Sequence, residues 1–431
     1  MNKRICCLII CLVIIVTNLA MISGKKAPIV KEECPFDKTI TWDDGTTEHV
    51  QIGNDGFFVL DRVKRHLVGM VLGSQYPAGG EYGQFYLPSH MALWETQLAY
   101  LQSVGVRLIH VQIEYILAYM VNDTVAERVA IEAVFNLLRK YKMLVIPQIS
   151  NKANYPYGNL VESEWGTFPD NVWTSPETHE RWATRFINIA SSYENVVAIG
   201  VENELDIKMP GATYVAGEVS VFMDFLAGVM RPKFNGPIIH KLSGTWLIEP
   251  EIKKACLDAT DIGAFDCYAQ TKEEMDSSLL ALQTWLSNSG YPTTGWWCME
   301  LNAQDNNYEL KIDNFSVDFI DSVFNHGATI AMLFISNWSI NTDGQFFDND
   351  GNPMPILEEI ARAIPRLQSP KKHLTKFITV KDPLKEVKVT KVAVNRCPYD
   401  FNGWCYEHKW CNDRCMEKCK VILPKDKFKT K

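Results

Sequence analysis

Residues 196–204 read VVAIGVENE, an apolar run that ends in two glutamates and an asparagine. A second run of the same kind, residues 296–300, reads WWCME and ends in Glu300. Runs this short and this apolar are typical of strands that are buried on both faces of a parallel sheet. An acid that ends a buried strand is costly unless it is partnered or used. Glu204 and Glu300 are therefore the first candidate functional residues.

These two runs belong to a longer alternation of apolar and amphipathic segments between Leu67 and Gln368, which is typical of βα units. The predicted strands are Leu67–Gly73, Val106–Ile113, Met143–Ile149, Val196–Val201, Pro237–Leu242, Asp261–Tyr268, Thr294–Glu300 and Thr329–Trp338. The predicted helices are Met91–Val104, Thr124–Tyr141, Pro176–Ser192, Val215–Met230, Pro250–Leu257, Lys272–Ser289, Lys311–Phe324 and Pro355–Ala363. This number of units predicts a (β/α)8 TIM barrel over residues 67–368. A doubly wound sheet, the alternative, usually has a Gly-rich turn after its first strand, whereas this turn reads Gly73-Ser-Gln-Tyr-Pro.

The segments that flank the barrel differ from it in composition. Residues 1–24 have a basic start, an apolar run and small residues, the order of a cleaved secretory signal peptide, with an uncleaved signal anchor as the alternative. Residues 25–66 form a lead-in in which Gly56-Phe-Phe-Val-Leu-Asp-Arg predicts a β-hairpin that closes the bottom of the barrel. Residues 369–396 are interpreted as a linker, and 397–431 as a small cysteine-rich basic tail.

The charge distribution argues against nucleic-acid binding, and the predicted secretion makes the cysteines disulfide candidates. From Lys371 onward, 16 Lys or Arg face 7 Asp or Glu, a net of +9; since the whole chain carries −8, the first 370 residues carry −17. An acidic body lacks the clustered cations that bind phosphates. Five of the 12 cysteines lie in the tail, and secretion would make them disulfide candidates. Glycosylation sequons begin at Asn122, Asn314 and Asn337. We expect no membrane span after signal cleavage.

Polar residues at the C-terminal ends of barrel strands form the active site in this fold, and the predicted strands four and seven lie across the mouth from each other. Two facing carboxyl groups can divide into a protonated donor and an ionised nucleophile, as the cleavage of a glycosidic bond requires. Asn203-Glu204, the isolated Glu300, and Trp338 followed by Asp343-Gly and Asp350-Gly-Asn-Pro resemble clan A glycoside hydrolases, most nearly family 5, the cellulase and mannanase relatives. The resemblance covers roughly Asp55–Gln368.

The resemblance implies a role for each matching residue. Glu204 would be the general acid/base and Glu300 the nucleophile of a retaining double displacement. Asn203 would bind the sugar 2-hydroxyl, Tyr268 would orient the nucleophile, and Trp338 would form the aromatic floor of the cleavage subsite. Trp246 and Trp173 are further candidate sugar platforms. No metal or organic cofactor is expected.

Two features depart from the family pattern, and the role of Glu204 has alternatives. Its members have an Arg in strand two, but alternation places Arg107 and His110 on opposite faces, so only one of them can point into the barrel. Asp266 stands where a His is usual, two residues before Tyr268. Glu202 shares strand parity with Glu204 and could hold the same role, and Glu204 could instead form an ion pair with Lys208 or Lys241.

The sequence therefore predicts a secreted, retaining β-glycoside hydrolase that is endo-acting on a β-mannan or β-glucan. Its partner would be a poly- or oligosaccharide substrate. The alternative is a catalytically inactive sugar-binding barrel or a structural secreted protein. A further hypothesis assigns the basic tail to binding anionic surface glycans, an interaction that salt would weaken.

Overall fold

The computed structural model describes residues 36–72, 88–112, 124–149, 176–207, 215–245, 248–305, 309–336 and 342–369. The predicted signal peptide, nearly all of the linker, and the cysteine-rich tail lie outside these ranges, as do the sequons at Asn122 and Asn337. Asn314, at the third sequon, is exposed. No helix within the described ranges is long and apolar enough to cross a bilayer.

Four antiparallel strands precede the barrel: β1 (Phe36–Thr41), β2 (Thr47–Ile52), β3 (Phe58–Leu60) and β4 (Val63–Arg65). The predicted hairpin corresponds to β3 and β4, and β1 and β2 extend it into a sheet. The sequence missed β1 and β2 because each is short and alternates buried with exposed positions, so neither forms a continuous apolar run.

The barrel is formed by eight parallel strands: β5 (Leu67–Val71), β6 (Leu108–Gln112), β7 (Leu144–Gln148), β8 (Ile199–Asn203), β9 (Ile238–Ser243), β10 (Ile262–Ala269), β11 (Trp296–Ala303) and β12 (Ala328–Leu333). Each strand pairs with the next, and β12 pairs with β5, which closes the barrel. The predicted (β/α)8 barrel is thus confirmed. The eighth strand ends at Leu333, earlier than predicted, because the chain bends at Phe334.

Helices surround the barrel: α1 (Pro88–Ser103), α2 (Thr124–Lys140), α3 (Pro176–Ala190), α4 (Ala216–Met230), α5 (Pro250–Ala259), α6 (Lys272–Ser289), α7 (Val317–Asn325) and α8 (Pro355–Leu367). Each of the eight predicted helices overlaps one of them. The seventh begins six residues later than predicted, since Phe315 and Ser316 are extended and separate a short 3-10 turn, Ile312–Asn314, from α7.

The small sheet closes the bottom of the barrel. Phe58 packs on Trp297 with 5.8 Å between ring centroids, and the Trp297 indole N–H donates to the Gly56 carbonyl at 2.8 Å. Thr329 donates its hydroxyl to the same carbonyl at 2.6 Å. Gly56 has φ +69°, and a Cβ there would meet the Gly295 carbonyl oxygen at 1.9 Å, so only glycine fits. The C-terminal ends of the strands form the opposite mouth.

Candidate active site

A β-bulge in β11 turns Glu300 toward the barrel interior. Met299 lies in the inner core, so strict alternation would place Glu300 on the outer face. On β10, however, Phe265 is opposite Cys298 and the next residue, Asp266, is opposite Glu300. The extra residue on β11 reverses the direction of the following side chain, a common use of bulges beside active sites.

A second bulge, in β8, sets the position of Glu204. Gly200 is opposite Ile239 and Asn203 is opposite Lys241, so three steps on β8 match two on β9. Glu204 follows with φ +45°, in the left-handed region that residues other than glycine rarely adopt. Its backbone N–H donates to the Lys241 carbonyl at 2.7 Å, which holds this turn in place. Backbone strain of this kind is concentrated at functional sites.

The side chains of Glu202 and Glu204 have different surroundings. Glu202 is fully buried, accepts a hydrogen bond from the Asn203 backbone N–H at 3.0 Å, and interacts electrostatically with the Cys256 thiol of α5. Glu204 interacts instead with Glu300 across the barrel interior. Of the two acids, Glu204 is the one whose pKa the charge of Glu300 raises.

Both carboxylate oxygens of Glu300 have a donor. Lys241 of β9 donates from Nζ to Oε1, and Tyr268 of β10 donates its hydroxyl to Oε2. Lys241 is completely buried and Glu300 is 6% exposed. Burial alone would lower the pKa of Lys241, but the carboxyl groups of Glu300 and Asp266 outweigh it and hold that pKa above its ordinary value. The ammonium group thus remains charged and compensates a carboxylate at Glu300.

Glu204 has the opposite electrostatic character. Burial raises its pKa to about 8, and the negative charges of Glu300 and Asp206 add to the effect. Glu204 is therefore protonated at neutral pH while Glu300 is paired with a cation. A site with two carboxyl groups in such different environments can supply a proton donor and an ionised acid at the same pH.

A buried ion pair supports the turn that carries Glu204. Lys253 of α5 donates to the Asp206 carboxylate, and both side chains are fully buried. The Asp206 carboxylate also accepts from the Ser243 hydroxyl and from the Ser243 backbone N–H at 3.2 Å. His240 accepts a longer hydrogen bond, 3.4 Å, from the Leu205 N–H. These contacts link the turn to β9 and α5.

Of Arg107 and His110, it is His110 that points into the barrel. Arg107 lies at the bottom, where Nη2 contacts Glu48 at 2.6 Å and Nε donates to the Lys142 carbonyl at 2.7 Å. His110 is fully buried, with Nδ1 2.8 Å from the Ile146 carbonyl, and burial followed by the charge of Lys241 lowers its pKa well below the ordinary value. His110 is therefore neutral, and it is Lys241 that contributes a cation to Glu300.

The other predicted site residues fall into two groups. Asn203 is 4% exposed, and its side-chain oxygen has no hydrogen-bond partner among the described residues, so it can accept from a ligand. Trp338, Trp246 and Trp173 lie outside the described residues. The described aromatic residue at the end of the eighth barrel strand is Phe334, whose ring meets that of Tyr268 edge to face at 6.1 Å.

Sequence reasoning missed Lys241 as the partner of Glu300. It considered Lys241 only as an ion-pair partner of Glu204. The signal was present, because Lys241 lies two residues after Ile239 in an apolar strand, and Ile239 belongs to the inner core. A lysine at an inward position of a buried strand requires an acidic partner inside the barrel.

We expect the Lys241→Met substitution to lower the free energy of unfolding by about 3–5 kcal/mol, because removing one partner leaves the other charge buried and unpaired. Urea denaturation of the wild type, Lys241→Met, Glu300→Gln and the double variant measures the coupling. The double variant leaves no such charge and should recover most of the loss. Strictly additive losses would contradict a direct ion pair.

Within the described ranges, no group of three or more His, Cys, Asp or Glu side chains could hold a metal ion.

Comparison with known proteins found similarity to solved structures but none to curated sequences. No protein-family model matches the chain, and no curated protein matches it. A GH5_18 variant from Bifidobacterium longum, solved with Manβ1-4GlcNAc, is similar with a TM-score of 0.55 and 10% identity, over 70% of this chain and 78% of that one. A GH5_18 variant from Streptomyces cattleya, also solved with Manβ1-4GlcNAc, has a TM-score of 0.53 and 12% identity, over 70% and 80%.

The exo-β-1,4-mannosidase Op5Man5 from an Opitutaceae bacterium has a TM-score of 0.58 and 10% identity, over 73% of this chain and 62% of that one. At such low identity the likeness concerns the fold. The chain shares the (β/α)8 barrel fold with these proteins, as the sequence resemblance predicted.

Proposed function

We propose that this protein is a retaining β-glycoside hydrolase that acts on β-linked mannose- or glucose-containing saccharides. The observation that carries the proposal is the pair of buried acids at the barrel mouth. Glu204 is held protonated, and Glu300 is bound by Lys241 and Tyr268. Glycosidases of this class require one acid in each of these states.

In the proposed mechanism, Glu204 protonates the glycosidic oxygen while Glu300 attacks the anomeric carbon. Loss of the proton then allows Glu204 to act as a base that activates water, which releases the sugar from Glu300. The hydrogen bond from Tyr268 and the ion pair with Lys241 fix the orientation of the nucleophile before attack. The unpartnered amide oxygen of Asn203 is suited to accept a hydrogen bond from a sugar hydroxyl.

The substrate class rests on the resemblance and on the similar structures. Two of them were solved with Manβ1-4GlcNAc, and a third is an exo-β-1,4-mannosidase. Sequence reasoning favoured endo action on a β-mannan or β-glucan. We propose β-mannosides as the first substrates to test, and the product pattern distinguishes endo from exo action.

The test is a product assay with purified protein on Manβ1-4GlcNAc and on oligosaccharides of β-mannan, β-1,4-glucan, β-1,3-glucan, xylan and chitin. The double variant Glu204→Gln/Glu300→Gln supplies the background rate. We expect the wild type to shorten at least one β-linked substrate above that background. Binding of a glycan without any product over a day would contradict hydrolysis and support a sugar-binding barrel.

A further inference from the structure

Asp266 is a third carboxyl group beside the two proposed catalytic acids. It is 1% exposed, and neither of its side-chain oxygens has a hydrogen-bond partner among the residues that the structure describes. A buried polar group without a partner is rare in folded proteins and requires an explanation. The mechanism proposed above does not use Asp266.

The position of Asp266 directs it to the same pocket as Glu300. It lies on β10 two residues before Tyr268, so alternation gives the two side chains the same face. Asp266 is opposite Glu300 on β11 and opposite Ser243 on β9. Its carboxyl group interacts electrostatically with Glu300, Lys241 and Glu204, so it belongs to the charged centre of the barrel.

The Lys241 ammonium group of this cluster is already committed to Glu300. Lys241 donates to Glu300, and no hydrogen bond joins Lys241 to Asp266 within the described residues. Burial, followed by the charge of Glu300, raises the pKa of Asp266 well above its ordinary value. A buried carboxyl group needs hydrogen-bond partners in either protonation state, and neither oxygen of Asp266 has one among the described residues.

We infer that Asp266 is a substrate-binding residue whose carboxyl group hydrogen-bonds hydroxyl groups of the sugar bound beside Glu300. Adjacent hydroxyl groups of a pyranose ring each donate and accept, so the two oxygens of a carboxyl group can contact two of them at once. A substrate hydroxyl would then satisfy the Asp266 oxygens, which have no hydrogen-bond partner among the described residues. This inference rests on the proposed function, because it places a sugar at this site.

The test compares Asp266→Ala and Asp266→Asn with the wild type on 4-nitrophenyl β-D-mannopyranoside and on its 2-deoxy, 3-deoxy, 4-deoxy and 6-deoxy analogues. The corresponding glucosides replace them if the glucoside is hydrolysed faster. We expect Asp266→Ala to lower kcat/KM for the parent glycoside by about 10- to 100-fold, the range of a hydrogen bond to a buried polar group. Asp266→Asn keeps a donor and an acceptor, so its kcat/KM should decrease less than that of Asp266→Ala.

The decisive readout is the dependence on a hydroxyl group. For at least one deoxy analogue, the loss of kcat/KM caused by Asp266→Ala should be at least about threefold smaller than for the parent, because one of the contacts is already missing from the substrate. An equal loss for the parent and for every analogue would overturn the inference and indicate a structural role. Asp266→Ser replaces Asp266→Ala if the latter does not fold, as judged by its urea midpoint.

Calorimetric measurement of binding of the parent glycoside distinguishes failure of this inference from failure of the proposed function. If the wild type binds the glycoside without cleaving it and Asp266→Ala weakens binding more than Asp266→Asn, hydrolysis is wrong and the inference stands. If the glycoside is cleaved and the variants behave like the wild type, the inference is wrong and hydrolysis stands. No binding and no cleavage by the wild type would overturn both.

Discussion

Replacing Glu300 by Gln is expected to lower kcat by on the order of 10⁴- to 10⁶-fold, because the loss of a covalent nucleophile removes a whole reaction step. The amide keeps the shape of the side chain, so the loss of activity reflects the missing nucleophile and not a change in packing. The measurement is kcat on the best substrate from the product assay. Glu251→Gln, at an exposed position on α5, is the matched control and should retain wild-type activity.

A second variant at the same position tests the nucleophile more sharply. Glu300→Gly leaves room for a small external anion, and azide added in excess should restore activity and yield a glycosyl azide of α configuration. That product forms when azide attacks from the face that Glu300 occupies in the wild type. Activity of Glu300→Gln within tenfold of the wild type, with no effect of azide on Glu300→Gly, would contradict the assignment.

Replacing Glu204 by Gln is expected to lower kcat/KM by about 10²- to 10⁴-fold on a natural glycoside, the range of general acid catalysis. The loss should be much smaller on a 2,4-dinitrophenyl glycoside, whose leaving group needs no proton. Glu202→Gln is the matched control, since Glu202 is a second buried acid two residues earlier on the same strand. A greater loss in Glu202→Gln than in Glu204→Gln would reverse the assignment.

The pH dependence follows from the same residue. The pKa of Glu204 is raised to about 8, so the proton-donating form is present below that pH and is lost above it. The wild-type kcat/KM should therefore fall as pH rises through about 8, since kcat/KM reports groups of the free enzyme. In Glu204→Gln this decrease should be absent. A decrease that persists in the variant would assign it to another group.

The sequence predicted the barrel because the strands are buried on both faces. Each reads as a short apolar run, and helical periodicity fills the intervals, so the order of elements required no knowledge of distant contacts. The lead-in was harder to predict, since β1 and β2 are half exposed and rely on pairing with each other and with β3. Their stability comes from pairing with neighbouring strands, which the hydrophobic pattern of each segment alone does not reveal.

The site was only partly predictable, and the two bulges explain why. Strict alternation after Met299 would turn Glu300 outward, and parity alone cannot choose between Glu202 and Glu204. The bulges in β8 and β11 decide both questions, but a bulge depends on the pairing of neighbouring strands and leaves no clear mark in one sequence. The sequence suggested the two acids as candidates, and tertiary pairing determines where they point.

The cation beside Glu300 was also not predictable from the sequence alone. The family pattern directed attention to strand two, where Arg107 instead contacts Glu48 at the bottom of the barrel. The cation comes from Lys241 on β9, at a position that alternation marks as inward. Sequence position alone could not show that Lys241 reaches Glu300 and not Glu204, because that depends on the arrangement of three neighbouring strands.

The most direct test of the account is intact-protein and peptide mass spectrometry after incubation with 2-deoxy-2-fluoro-β-D-mannosyl fluoride, or with the glucosyl reagent if glucosides are preferred. The fluorine at C2 slows both the formation and the hydrolysis of the glycosyl-enzyme intermediate. The good leaving group restores the rate of formation, so the covalent intermediate accumulates. We predict one fluorosugar per chain, attached to the peptide that contains Glu300. An adduct on any other residue, or hydrolysis that first releases the α-anomer and leaves the protein unlabelled, would contradict the account.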